Sequence, residues 1–138
     1  MQGCVAERLG GLRYTPAAAP ALVERHRRRG KLDWSALPMV VFNEKDRLQD
    51  DVLAARGASR PPVVHRVPST ADFHEAVRRG LGWAMLLDPQ LGPDVMRLPG
   101  TRPVLVPLYW QRWRLDSPAL AALTEDVRQA ARALQPLR

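Results

Sequence analysis

The 138-residue sequence has a single cysteine, Cys4, so an internal disulfide or a multi-cysteine zinc or iron–sulfur site is excluded, and a reducing compartment fits. It also has only two lysines against nineteen arginines, two phenylalanines and two tyrosines. No apolar run approaches the ~18 residues a membrane helix requires. The opening MQGCVAERLGGLRY is charged where a secretory signal would be apolar, and the expectation is a soluble, cytoplasmic chain. The three histidines, His26, His65 and His74, have no metal-ligand spacing. No GxSxG, no phosphate-binding GxxxxGK[ST] loop and no complete dinucleotide fingerprint occurs, the GLG at 80–82 being only a fragment of one. These absences argue against an enzyme, and no cofactor or metal is called for.

What remains has the balance of an ordinary globular domain, 46% hydrophobic and 25% charged. The net charge is +7, and five of the positive charges (Arg25, Arg27, Arg28, Arg29, Lys31) lie in RHRRRGK; setting those aside leaves about +2. Pro20 opens an amphipathic helix expected to run through Arg29 and to stop at Gly30. Cations in a last helical turn offset the helix dipole and need no ligand to explain them, so the run is read as a solvated helix end.

Strand-like and helix-like pieces alternate. PMVVFN (38–43) reads as a buried strand, followed by NEKD and a helix with Leu48, Val52 and Leu53 before Gly57. Asp46, three residues before Gln49, has capping-box spacing. The grammar recurs in VVHRV (63–67), then Ser69 and Thr70, then a helix with Phe73, Ala76 and Val77 on one face, then the strand WAMLL (83–87). Such alternation implies parallel βαβ pairing and an α/β fold. VLVPLYWQRWRL is a long extended segment whose Pro107 suggests an edge or crossing strand. Tyr109 and Trp113 would face one side and Trp110 the other, with both sides packed. The last helix is capped by Ser117 and opened by Pro118, and its apolar stripe is Leu120, Leu123, Val127, Ala131 and Leu134.

In a parallel unit, helix starts gather along the sheet edge where ligands bind. Ser69 and Thr70, with the free N–H groups of their helix, suit a carboxylate; Asn43, Glu44 and Asp46 suit an ammonium or guanidinium. A zwitterion with a cationic tail would satisfy both. The same Asp46 and Ser69 also read as plain helix caps.

The ordered set RYTPAAAPAL, PMVVFNEKDRLQD, VPSTADFHEAVRRGLGWAMLL and VPLYWQRWRLDSPALAALTEDVRQAA resembles the C-terminal half of a LysR-type transcriptional regulator. More narrowly, it is similar to the arginine- and lysine-responsive (ArgP/LysG-type) branch, through FN-x-KD-x-LQD, P-S-x-ADF-x-EAV-x-x-GLGW and PLYWQ-x-W-x-L-x-SPAL. The resemblance implies an α/β, type 2 periplasmic-binding-protein-like effector domain with its second lobe complete and its first lobe mostly missing. Residues 1–18 would hold the end of the first lobe and the first crossing strand, 19–99 the second lobe, 100–116 the return crossing, and 117–138 a helix packing on the first lobe. The partners implied are a basic amino acid as effector, further copies through the effector domain, and promoter DNA only through a winged helix-turn-helix absent from this chain; the genes implied are those of amino-acid export. The helix stripe would then lack its partner surface. An alternative is a stand-alone small-molecule-binding or interaction module that associates with full-length relatives without binding DNA itself.

Overall fold

The computed structural model describes residues 3–136, so the outermost residues of the expected first and last segments lie outside the described residues. The chain forms two compact units, one built from 14–103 and the other from the stretches 3–13 and 104–136. Strand β1 (Cys4–Ala18) contributes residues to both.

In the 14–103 unit, β4 (Met39–Val41) is buried along its whole length and pairs in parallel with β5 (Val64–Arg66), as apolar β-branched runs covered on both faces do. Strand β6 (Ala84–Leu87) joins this ladder through a parallel bridge, Met39 to Trp83, with Val40 N–H donating to the Trp83 carbonyl and Trp83 N–H to the Pro38 carbonyl, each at 2.9 Å. Its other edge pairs antiparallel with β1, Tyr14 opposite Leu87 and Ala17 opposite Ala84; β7 (Met96–Arg97) pairs with the end of β1. The sheet is therefore mixed, not wholly parallel as the alternation suggested, because β1 enters from outside the βαβ pattern.

Helix α2 (Leu48–Ala54) follows β4, and α3 (Thr70–Arg78) follows β5. The apolar face of α3, Phe73, Ala76 and Val77, meets Val40, Ala84 and Leu86 of the sheet. Each large apolar side chain buried there contributes about 1.5–3 kcal/mol. Trp83 is fully buried and stacks edge-on against Trp34 at 5.3 Å.

The helix expected over 20–29 is shorter. Helix α1 spans Pro20–Arg25, and the basic run continues as a hairpin of β2 (Arg27–Arg28) and β3 (Lys31–Leu32). Gly30 does supply the positive φ that a helix stop would need, but Arg29 shares it, with φ of 78° and 51°. Two consecutive positive values are the signature of a two-residue hairpin loop.

In the other unit, the long strand β8 (Val104–Trp113) pairs with β1. Its alternate residues are exposed, and Pro107 takes an exposed position. Trp110 faces inward and Tyr109 and Trp113 outward, as the alternation required. Tyr109 and Trp113 are 52% and 59% exposed, so packing on both sides is not observed among the described residues. Helix α4 (Pro118–Ala131) is capped by Ser117, whose hydroxyl accepts the Leu120 N–H. The inward face is Leu120, Thr124, Val127, Ala131 and Leu134, with Leu123 outside at 49% exposed. Thr124 displaces Leu123 because its hydroxyl is satisfied twice, donating to the Leu120 carbonyl at 2.7 Å and accepting the Trp110 indole N–H at 3.2 Å. Nor does the stripe lack a partner: it lies on the β1–β8 ladder. Arg128 forks onto Glu7 at 2.7 and 2.8 Å, Leu134 abuts Gly10, and Gly11 bridges to Gln135.

Candidate effector pocket

Because β4, β5 and β6 are parallel, the loops leaving them emerge at one edge of the sheet. Antiparallel pairing brings Tyr14 of β1 to that edge too. A pocket of about 250 Å³ opens there. Phe42 and Leu48 wall it from the β4 loop, Thr70 and Phe73 from the start of α3, and Met85, Leu87 and Gln90 from β6 and the turn after it. The chain's two phenylalanines thus stand on facing elements, ring centres 6.1 Å apart.

Among the described residues, Asp46 is the single charged one lining this pocket. Its Oδ2 accepts the Phe42 N–H at 3.0 Å and the Gln49 side-chain amide at 3.1 Å, and its Oδ1 accepts the Leu48 N–H at 3.4 Å. Gln49, 1% exposed, donates also to the Val40 carbonyl at 2.9 Å, which ties the carboxylate to the core strand. The expected capping box takes this altered form: the glutamine reaches the aspartate side chain rather than its backbone, and Arg47 occupies the cap position. Burial raises the Tyr14 phenol above its ordinary value, and the negative charge of Asp46 raises it further.

The other expected residues are placed differently. Thr70 lines the pocket as the first residue of α3. Ser69 precedes it at the cap position, but its hydroxyl makes no capping bond; its carbonyl accepts the Phe73 N–H. Asn43 closes a turn, its side-chain oxygen accepting the Lys45 N–H at 2.8 Å. Glu44 is exposed and 3.9 Å from Arg66. Asn43, Glu44 and Ser69 therefore flank the pocket without lining it. Tyr14, Phe42, Phe73, Met85 and Gln90 are not among the ligand residues expected from the sequence, and the one available signal is that both phenylalanines lie within the motifs. No histidine lines the pocket, and His26 is engaged with the Leu22 carbonyl at 2.9 Å. No group of three His, Cys, Asp or Glu able to hold a metal occurs among the described residues.

No family model matches the chain. Solved structures do. The C-terminal domains of a LysR family protein from Agrobacterium tumefaciens superpose with a TM-score of 0.86 at 36% identity, covering 99% of this chain and 70% of that one. The chain belongs to the LysR family. Within that family it is similar to the lysine export transcriptional regulatory protein LysG of Corynebacterium efficiens, 46% identical over 138 residues. It is likewise similar to full-length LysG of Corynebacterium glutamicum with bound effector Arg, at TM-score 0.88 and 42% identity. The chain covers 47% of the first and 49% of the second, so it spans about half the length of these LysR relatives. The LysR likeness spans 99% of this chain, and the fold is the expected α/β, periplasmic-binding-protein-like effector domain. The two LysG relatives are transcriptional regulators by name, and no described helix is long and apolar enough to cross a membrane.

Proposed function

We propose that this chain is the effector-sensing part of a LysR-type regulator that responds to lysine or arginine and controls amino-acid export genes. The observation that carries the reading is the pocket's composition: one carboxylate, Asp46, held by three donors, among aromatic and aliphatic walls. An aliphatic stem ending in a cation fits such a site, its charge on Asp46 and its stem against Phe42 and Phe73. Thr70 and the first N–H groups of α3 face the opposite end of the ligand, where a carboxylate belongs. Asn43, Glu44 and Ser69, on the same loops, form the outer contacts. The LysG names, lysine export in one and bound arginine in the other, agree with this ligand class.

On this reading the protein is a cytoplasmic regulator and not an enzyme. It assembles with further copies through effector domains and reaches promoter DNA through a winged helix-turn-helix of the longer protein. Residues 1–18 hold the end of the first lobe and the first crossing strand, 19–99 the second lobe, 100–116 the return crossing, and 117–138 the helix on the first lobe.

An NMR titration of the chain with L-arginine, L-lysine and L-citrulline, arginine's neutral isostere, tests it. Hydrogen bonds to charged groups contribute about 1.5–3 kcal/mol, so citrulline should bind roughly 10- to 100-fold more weakly. Asp46→Asn should weaken arginine by a similar factor. Equal shifts for arginine and citrulline, or none at 42–46 and 70–73, refute the assignment.

A further inference from the structure

The hairpin of β2 and β3 puts Arg27, Arg28, Arg29 and Lys31 on an exposed ribbon, and the helix dipole that would have excused them is absent there. Arg27 and Arg28 are held only by surface carboxylates, Glu24 at 3.0 Å and Asp33 at 3.2 Å. Exposed pairs of this kind exchange readily for another anion. Arg29 and Lys31 make no ion pair with a described residue. Arg29 also sits at φ 51°, a backbone conformation that favours asparagine or glycine, so a long cation is displayed where the turn would prefer a short residue.

Beside the ribbon lies an open groove of about 430 Å³, bounded on its far side by Pro99 and Gly100. Among the described residues three cations line it, Arg27, Lys31 and Arg56, and no carboxylate does. Arg56 is fixed in place, its guanidinium 4.6 Å over the Trp34 ring and bonded to the Gly100 carbonyl.

We propose that this ribbon and groove bind the phosphodiester backbone of duplex DNA, without reading sequence, as a contact additional to any made by a separate DNA-binding domain. Four positive charges within five residues need a partner of comparable charge density. Duplex DNA carries one negative charge per roughly 1.7 Å of its axis, and guanidinium forks match phosphate oxygens in pairs. The proposal is independent of the effector reading, since none of the ribbon residues lines the effector pocket.

Fluorescence anisotropy of a labelled random-sequence duplex with the 138-residue chain, over a salt series, reads it directly. Each neutralised phosphate contributes a slope of about −0.9 in log affinity against log salt. Four cations give a slope between about −3 and −4, which is on the order of a 10²-fold loss from about 50 to 200 mM salt. Arg29→Ser with Lys31→Ser should remove about two units of slope, whereas the same charge removed elsewhere, Arg8→Ser with Arg132→Ser, should leave it unchanged. All four positions are exposed, and circular dichroism verifies that the variants keep the fold. A wild-type slope shallower than about −1 overturns the proposal. So does an equal loss in both double variants, or poly-L-glutamate competing as well as DNA at equal charge, which would indicate an acidic protein partner.

Discussion

Gly82 is where a single methyl group should do most damage to the pocket. Its φ is ordinary, so its role is space: an added Cβ would stand 2.8 Å from the Pro38 carbonyl oxygen and 2.9 and 3.0 Å from the Met39 carbonyl carbon and nitrogen. All three are backbone atoms, which cannot rotate away. Ordinary contact begins near 3.4 Å, so β4 and β6 must part by about half an ångström. That separation stretches both hydrogen bonds joining them, Val40 to Trp83 and Trp83 to Pro38. Overpacking costs about 1–3 kcal/mol, and each of the two weakened bonds about 0.5–1 kcal/mol more, so Gly82→Ala should lose about 2–5 kcal/mol. Gly57→Ala separates clash from strain, since Gly57 has φ 64° and nothing within 4 Å of the added methyl. It should lose only about 1–2 kcal/mol, the left-handed backbone penalty alone. Urea unfolding followed by tryptophan fluorescence, in which buried Trp83 reports the 14–103 unit, measures both. A Gly82→Ala loss below that of Gly57→Ala would refute the close-approach argument. The same variant should shift pocket resonances at Phe42 and Leu87, because both extend the strands being pushed apart.

Asp46→Asn removes a negative charge beside Tyr14, so the phenol should titrate closer to its ordinary value of 10.0 in an ultraviolet titration; an unchanged midpoint would mean the two groups do not interact. Since the folded state raises the Tyr14 value, its contribution to stability is full below pH 10 and declines as pH rises through the folded value. Thr124→Val should cost about 1–3 kcal/mol by stranding the Trp110 indole N–H, whereas the half-exposed Leu123→Ala should cost well under about 1 kcal/mol; the reverse order in denaturant melts would restore Leu123 to the buried stripe. Glu75 is pulled from 4.5 to about 2 by hydrogen bonds from Arg78 and then Arg79, so NMR should find it ionised until pH approaches 2, with its stabilisation present above 4.5 and lost as pH falls through 2. In Arg78→Gln with Arg79→Gln the midpoint should return toward 4.5.

Elements whose burial is uniform were legible from their letters. MVV, AMLL and the Phe73/Ala76/Val77 face each needed one rule of periodicity, and each lies where that rule places it. The basic run was misread because Gly30 satisfies two grammars: a positive φ ends a helix and also completes a two-residue hairpin loop. Only the neighbouring conformation of Arg29 separates them, and no letter encodes it. The α4 stripe failed at one position because hydrophobicity ranks leucine above threonine, while a threonine hydroxyl bonded on both sides is comfortable in a core. In the pocket, Asp46 and Thr70 were found by the motifs around them, but Tyr14, Met85 and Gln90 arrive from segments that meet only once the sheet has formed. Pattern within a window cannot see such a meeting.

The division of the chain also sets an order of events during synthesis. Residues 14–103 are contiguous, so their ladder and helices can form while the ribosome still holds the C-terminal segment. The other unit needs 3–13 to wait for 104–136, and its Gly11 to Gln135 bridge cannot close until nearly the whole chain has emerged. Nascent chains arrested with Pro103 clear of the exit tunnel and the following segment still inside it should therefore protect the β4–β6 amides from exchange while those of β1 before Tyr14 remain open. The pocket at the sheet edge, whose lining lies wholly within 14–103, would thus be present on the ribosome before the 3–13 and 104–136 unit closes.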